Sequence, residues 1–159
     1  MQLSINRESL LKAINLIAKA ADKRHNMVIL GNIKLQLSES ALVLTASDLE
    51  VELTSTLKLP TGACVQAGTT TLPATKLRDI CKSLPAQAQI NLVTQENERC
   101  LLTSGKSRFT LGTLPSEDYP SLGNPENITP LTISRSRLID LIHKTQFAMA
   151  IQDVRYYLT

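Results

Sequence analysis

Three acidic side chains alternate along the segment SDLEVEL, at Asp48, Glu50 and Glu52. On a β-strand, side chains two positions apart share a face, so these carboxylates would lie together. Oxygen ligands grouped in this way suit Mg²⁺, as in a metal-dependent nuclease. The alternative is a solvated sheet face, with the intervening apolar residues directed inward, and the pattern favours this second interpretation.

Other groups capable of catalysis lack the spacing that their chemistry requires. Residues 104–107 spell SGKS, the end of a phosphate-binding loop, but Cys100 occupies the position of its first glycine, so a tight hairpin turn is predicted instead. His25 and His143 have no serine or cysteine partner at a recognisable spacing. The 3 cysteines form no CxxC pair, which indicates neither a disulfide framework nor a zinc site. The residues therefore show no apparatus for nucleophilic catalysis and neither a disulfide framework nor a zinc site.

Basic side chains recur at helical spacing in three segments that also carry an apolar stripe. The pairs are Lys12 and Lys19, Arg78 and Lys82, and Arg137 and Lys144. If each apolar stripe packs on a sheet, the basic side chains face either solvent or a polyanion. The net charge of +3 does not decide between these, because nucleic-acid binding depends on a concentrated basic surface rather than on a mild total.

The elements that carry these residues are mostly strands. Runs with strand character occupy residues 2–6, 32–38, 41–47, 51–59, 64–70, 89–95, 99–104 and 107–114, and helical patterns occupy 8–20 and 74–84. Turn residues at 38–40 and 96–98 predict two antiparallel hairpins. The order of one strand, one helix and three strands occurs twice, over about 1–60 and 61–114. The pattern therefore predicts an α+β fold built from two similar halves with antiparallel sheets.

A longer repeat divides the chain into domains. LSINRESLLKAI at 3–14 aligns without gaps on LTISRSRLIDLI at 131–142, an offset of 128 with 5 identical residues. Between them, residues 112–130 contain 4 prolines, which is typical of a linker. We predict a first domain at 1–127, including a linker at 112–127, and the truncated start of a similar domain at 128–159. Those last residues are expected to pack poorly, since the rest of their domain is missing.

Composition limits the class of protein. With 159 residues, 43% of them apolar and 19% charged, the chain suits one ordinary globular domain with some chain left over. The N-terminal residues MQLSINRESL lack the basic start and apolar stretch of a secretory signal, and no apolar run is long enough to span a membrane. We expect a cytoplasmic protein that has no membrane partner.

Five segments together resemble the bacterial sliding clamps, the beta subunits of the replicative DNA polymerase III. In order along the chain they are ILGNIKLQL (29–37), LVLTASDLEVEL (42–53), LPATKLRDICKSLP (72–85), SGKSRFTLGTLPSEDYP (104–120) and TQFAMAIQDVRYYL (145–158). The resemblance implies the DNA clamp fold, with three similar domains per subunit and two subunits closing a ring around duplex DNA. Helices would line the hole and sheets would form the outer rim. The resemblance therefore implies a processivity factor that tethers the replicative polymerase to DNA, is not an enzyme and holds no metal or cofactor. The alternatives are a metal-dependent nuclease built around Asp48, Glu50 and Glu52, or a module that binds protein alone.

The resemblance also implies roles for individual residues. The DNA-binding residues would be Arg24, Gln152, Tyr156 and Tyr157, together with Lys12, Arg78 and Lys82 on the helices. The edge of a pocket for partner peptides would include Arg155, Tyr157 and Leu158. The face toward the other subunit would include Lys76, Lys106, Arg108, Phe109 and Leu111, although Phe109 and Leu111 are alternatively plain core residues. The implied partners are duplex DNA, polymerase subunits, the clamp loader, other clamp-binding proteins and a second copy of the full-length subunit.

Overall fold

The structure, a computed structural model, describes residues 1–21, 27–123, 129 and 131–150. The chain divides into two compact units, Met1–Gly123 and Asn124–Thr159, which we treat separately as unit 1 and unit 2. None of the helices in the described ranges combines the length and the apolar character needed to cross a membrane.

Most element boundaries match those predicted from the sequence. The strands are β1 (Gln2–Asn6), β2 (Asn32–Leu37), β3 (Ala41–Ser47), β4 (Glu52–Lys58), β5 (Cys64–Gln66), β6 (Gly68–Pro73), β7 (Gln89–Gln95), β8 (Arg99–Ser104) and β9 (Ser107–Gly112). The helices are α1 (Arg7–Ile17), α2 (Ala74–Ser83) and, in unit 2, α3 (Arg135–Thr145). The two predicted hairpins are confirmed, because β2 pairs with β3 and β7 pairs with β8, both antiparallel.

The predicted single strand at 64–70 is wrong, because it is two strands in different sheets. β5 pairs with β1, whereas β6 pairs with β2. The chain changes sheets next to Gly68, where a Cβ atom would lie 3.3 Å from the Cβ of Met1. That approach is tighter than ordinary van der Waals contact, so a residue without a side chain suits the crossing.

Unit 1 consists of two antiparallel sheets in which the halves of the chain exchange strands. The five-stranded sheet has the order β5-β1-β7-β8-β9, and the four-stranded sheet has the order β4-β3-β2-β6. β1 therefore pairs with strands of the second half, and β6 pairs with strands of the first half. The duplication that the sequence predicts is present, but neither half forms a sheet independently.

One hydrophobic core joins both sheets and both helices of unit 1. It includes inward residues of the five-stranded sheet such as Leu92 and Leu102, inward residues of the four-stranded sheet such as Leu35 and Leu44, and the helix residue Ile14. Each of these side chains is completely buried. Burial of a leucine or isoleucine of this kind contributes about 1.5–3 kcal/mol. The strand alternation and the helical stripes therefore all face a common interior.

The first part of the predicted linker is fastened to unit 1. The buried phenol of Tyr119 donates a hydrogen bond to the carbonyl of Asn32 (3.2 Å) and accepts one from the amide of Ser47 (3.1 Å). The backbone amide and carbonyl of Leu114 both hydrogen bond to the hydroxyl of Thr71, each at 2.9 Å. Residues 113–122 are thus a strap that completes the end of the four-stranded sheet.

The two hydrogen bonds of the Tyr119 phenol should contribute measurably to the stability of unit 1. We expect Tyr119→Phe to lower the free energy of unfolding of unit 1 by about 1–3 kcal/mol, since two buried backbone groups lose a partner. Urea denaturation measures this change. Thr56→Val, which removes an exposed hydroxyl on β4, is the control and should have little effect. Equal effects of the two substitutions would contradict the role assigned to the phenol.

The cysteines predict a pattern of thiol reactivity. Cys81 and Cys100 are buried, and burial raises the pKa of each thiol to about 11, whereas Cys64 is half-buried. Only the thiolate reacts with iodoacetamide, so the two buried groups are protected near pH 8 both by access and by protonation. Mass spectrometry should find one adduct on the native chain and three on the denatured chain. Rapid modification of Cys81 or Cys100 in the native chain would contradict the buried packing.

Candidate nucleic-acid interface

Helix α1 presents a basic side chain on its solvent face. The helix begins after Asn6, whose side chain accepts a hydrogen bond from the amide of Glu8 (2.9 Å) and so caps the first turn. Its buried stripe consists of Leu10, Ala13, Ile14 and Ile17. Lys12 lies opposite this stripe and is exposed. α1 thus places the Lys12 ammonium where it can meet a polyanion.

The first helix is shorter than the sequence predicts, which changes the position of Lys19. α1 ends at Ile17 rather than near residue 20, with Ala18 as its C-cap. Lys19 therefore lies in the following turn, although it is exposed like Lys12. The predicted basic stripe of α1 is in fact one helical lysine followed by one lysine in a turn.

Helix α2 carries a mixed rather than a purely basic surface. Its buried residues are Ala74, Leu77 and Cys81, as the apolar spacing predicts. The Nε atom of Arg78 is buried and lies 3.6 Å from a carboxylate oxygen of Asp79, so its charge is partly balanced within the helix. Lys82 is exposed in the last turn, where a cation interacts favourably with the helix dipole. Lys82 is thus the more available of the two predicted DNA contacts on α2.

Arg7, a residue that the sequence analysis did not single out, connects the two helices. Its Nε–H donates to the carbonyl of Cys81, and its Nη2 donates to the carbonyl of Lys82 at 3.2 Å. The N-terminal end of α1 therefore lies against the C-terminal end of α2. A usable signal was present in the sequence, because a cation in the first turn of a helix opposes the helix dipole and calls for another partner.

Several residues implied by the resemblance lie outside the described residues. They are the DNA-binding candidates Arg24, Gln152, Tyr156 and Tyr157, and the pocket-edge candidates Arg155 and Leu158. Their roles stay predictions. The predicted DNA-binding residues that the structure describes are Lys12 on α1 and Arg78 and Lys82 on α2, and we call these three residues the helix surface.

The alternating carboxylates do not form a metal site. Residues 48–51 are the turn between β3 and β4, so only Glu52 lies on a strand and the expectation of one shared face is wrong. A carboxylate oxygen of Asp48 accepts hydrogen bonds from the amides of Glu50 (3.0 Å) and Val51 (2.7 Å). These bonds, chiefly that from Val51, lower the pKa of the Asp48 carboxyl. No group of three potential metal ligands occurs among the residues that the structure describes.

The favoured alternative for this segment also needs correction. The apolar residues between the carboxylates were expected to face inward, yet Leu49 and Val51 are 38% and 49% exposed. Leu49 has a φ angle of 77°, which the tight turn imposes on it. Local turn chemistry therefore overrides the alternation that the sequence shows. By contrast, the predicted turn at 104–107 is confirmed, since it joins β8 and β9 and contains Gly105 with a φ of 55°.

Helix α3 of unit 2 resembles α1 in its length, its first residue and its side-chain N-cap. It begins at Arg135 and α1 begins at Arg7, so both 11-residue helices start at the same place in the 128-residue repeat. Ser134 caps α3 by accepting a hydrogen bond from the Arg137 amide at 3.4 Å. Arg137 and Lys144 are exposed, and so is the apolar stripe. The apolar residues of unit 2 that are exposed include Leu131, Leu138, Ile139, Leu141, Ile142, Phe147 and Met149.

Three of the five residues predicted to meet another subunit, Arg108, Phe109 and Leu111, lie on β9, and Lys106 lies in the turn before it. This strand is the edge of the five-stranded sheet, and among the residues that the structure describes it pairs with β8 alone. Lys106 and Arg108 are exposed, and Lys76 is exposed on α2. Phe109 is half-buried against the core, whereas Leu111 is 4% exposed within it. Leu111 therefore follows the alternative interpretation, that of a core residue.

Comparison with known proteins identifies the family of unit 1. A family model described as the DNA polymerase III beta subunit, N-terminal domain, matches residues 1–123. These are the residues of the first compact unit, from β1 through the strap. The match thus covers every strand described here together with α1 and α2.

Individual relatives match nearly the whole chain. A beta sliding clamp of Pseudomonas putida is 43% identical over 158 residues, and that of Escherichia coli K12 is 42% identical over the same length. In each case 99% of this chain and 42% of the relative are covered. The chain therefore spans less than half the length of these relatives.

Solved structures agree with this assignment. The crystal structure of the DNA polymerase III subunit beta from Pseudomonas aeruginosa matches with a TM-score of 0.90 and 43% identity, covering 99% of this chain and 42% of that one. The Caulobacter crescentus pol III beta matches with a TM-score of 0.89 and 32% identity over the same shares of the two chains. The fold of unit 1, the family match over residues 1–123 and these relatives agree, and the chain belongs to the DNA polymerase III beta subunit family.

Proposed function

We propose that this chain is the first part of a DNA sliding clamp subunit, which in its complete form closes a ring around duplex DNA and tethers the replicative polymerase. The observation that carries the proposal is 43% identity across 99% of the chain to a protein named as a beta sliding clamp. The clamp fold of unit 1 supports it. The protein acts as a non-catalytic processivity factor on DNA in the cytoplasm.

The helix surface suits a weak and sequence-independent contact with DNA. Exposed lysines such as Lys12 and Lys82 offer point charges to phosphates, and such contacts carry no base specificity. Arg78, partly balanced by Asp79, contributes less charge than an exposed arginine would. A ring that moves along DNA requires this kind of modest attraction, because strong local contacts would hold it at one place. Retention then depends on topology.

The edge strand β9 suits a contact between subunits. Its outer backbone groups have no strand partner among the described residues of unit 1, and an edge of this kind can extend into a neighbouring sheet. Phe109 supplies a partly exposed apolar side chain on β9. Lys106, in the turn before β9, and Arg108, on the opposite face of the strand from Phe109, are both exposed. A central apolar group with a charged rim is the usual anatomy of an interface. We infer that the matching surface of the other subunit is apolar and acidic.

Two further sets of contact residues follow from the resemblance, one for partner peptides and one for DNA. Arg155, Tyr157 and Leu158 would form the edge of a pocket for short peptides of polymerase subunits, the clamp loader and other clamp-binding proteins. Arg24, Gln152, Tyr156 and Tyr157 would extend the DNA contact that begins on α1 and α2. Both proposals rest on the match of these positions to the family pattern.

A chimeric ring tests the proposed function directly. This chain would replace the matching residues of the Pseudomonas putida relative, and the ring would be loaded onto nicked circular DNA by its clamp loader. We expect the ring to stay on the circle and to leave after a restriction enzyme linearises the DNA, because topology supplies the retention. Gel filtration of the DNA before and after cutting measures this release.

The same chimera separates the competing outcomes. The unmodified Pseudomonas putida ring is the positive control for loading and release. Retention that ignores linearisation would indicate ordinary site binding and would contradict the ring mechanism. Cleavage of the DNA in Mg²⁺ that disappears after replacement of Asp48, Glu50 and Glu52 with alanine would favour a nuclease and overturn the proposal.

The β9 surface makes a separate prediction about assembly. In the chimeric ring, Lys106→Glu should raise the dissociation constant of the subunits by roughly tenfold, because it opposes an acidic partner surface. Analytical ultracentrifugation over a range of concentrations measures this constant. Lys58→Glu, the same change at an exposed lysine on β4 of the four-stranded sheet, is the matched control. If both variants dissociate alike, the effect is one of net charge and the interface does not lie at β9.

A further inference from the structure

We propose that Arg7 is a positioning residue for the DNA-facing helices: by holding the C-terminal carbonyls of α2, its guanidinium sets where Lys82 stands relative to Lys12 on α1. The inference rests on the proposed DNA-binding function. Arg7 itself does not contact DNA in this proposal. Its effect on DNA passes through the backbone of α2.

The hydrogen bonds of Arg7 satisfy groups that α2 itself leaves unpaired. The last four carbonyls of a helix have no partner within that helix. In α2, the carbonyl of Ile80 accepts from the Leu84 amide and from the Ser83 hydroxyl. The next two carbonyls, those of Cys81 and Lys82, accept from Arg7. The end of α2 is thus closed by a side chain of another helix, 74 and 75 positions away in sequence.

Electrostatics favours this partnership over any local role for Arg7. A cation at the first position of α1 faces the positive end of that helix, which is unfavourable. The guanidinium instead lies at the negative end of α2, where its charge is stabilising. Its charge also lowers the pKa of the neighbouring Cys81 thiol, against the larger effect of burial. The same residue type recurs at the first position of α3, as Arg135, 128 residues later.

The hydrogen bonds connect directly to the proposed DNA contacts. Lys82 is both a residue whose carbonyl Arg7 holds and an exposed lysine at the end of α2. Lys12 follows Arg7 by five positions on α1 and is also exposed. The planar fork of an arginine can hold two adjacent carbonyls at once, whereas a lysine ammonium is a single point charge. Arg7→Lys should therefore keep the charge and loosen the geometry.

The test measures the affinity of the chimeric ring for a short open-ended duplex, which can thread through the ring, as a function of salt concentration. We expect Arg7→Lys to weaken this affinity by about two- to tenfold although the net charge is unchanged. Lys82→Gln should weaken it too. The double variant should lose less than the product of the two factors, because Arg7 acts through Lys82.

A matched control separates positioning from general stability. Ile17→Val removes one buried methyl group from α1 and destabilises unit 1 without touching the Arg7 hydrogen bonds. Below the unfolding transition it should bind the duplex as the unmodified ring does. If Arg7→Lys also leaves the affinity unchanged, or if its effect multiplies independently with that of Lys82→Gln, the positioning role is wrong.

Failure of the inference is distinguishable from failure of the proposed function. If Lys12→Gln and Lys82→Gln together do not change the affinity, the helices do not contact DNA and the proposed interface is wrong. If those substitutions weaken binding and Arg7→Lys does not, only the positioning role is overturned. Should Arg7→Lys fail to fold, ¹⁵N NMR of the unmodified chain tests the hydrogen bonds on which the positioning role depends. Slow exchange of the Arg7 Nε proton is expected, and the fast exchange of a free arginine would contradict the hydrogen bonds.

Discussion

Strand pairing between the two halves of unit 1 is the constraint on which the rest of the structure depends. β1 lies between β5 and β7, and β6 lies beside β2, so each sheet contains a strand from the opposite half. Each exchanged strand leads directly into a helix, β1 into α1 and β6 into α2. The exchange therefore brings the two helices together over one shared core, which includes residues of both sheets. A half of the duplicated unit alone would leave its helix and sheet faces uncovered.

The placement of the helices explains how a chain of modest charge can present a basic surface. The buried stripes of α1 and α2 fix which side of each helix faces outward, and the basic residues then take different roles. Lys12 and Lys82 point to solvent, Arg78 is partly balanced by Asp79, and Arg7 is directed to backbone carbonyls. Net charge could not have distinguished these roles, because it counts the four cations alike.

Local hydrogen bonds determine the conformation of the acidic segment at residues 48–52. The carboxylate of Asp48 accepts two backbone amides of its own turn, and that of Glu52 accepts the amide of Leu122 in the strap at 3.3 Å. Carboxylates used in this way organise the backbone rather than a metal ion. The residues whose alternation suggested a strand thus form a turn and the first residue of β4. Aspartate is well suited to this role because its short side chain reaches amides two and three residues ahead.

The sequence by itself determined the elements, the antiparallel hairpins, the helical stripe of α2, the repeat that places α1 and α3 at an offset of 128, and the resemblance to the sliding clamps. These features depend on periodicity, turn residues and similarity, all of which are visible along the chain. Only the tertiary structure decided the exchange of β1 and β6, the break before Gly68, the burial of Tyr119 of the strap against Asn32 and Ser47, and the reach of Arg7 to α2. Each of these joins residues far apart in sequence. Periodicity reports that a face is buried, but it does not report which distant group covers that face or accepts its hydrogen bonds.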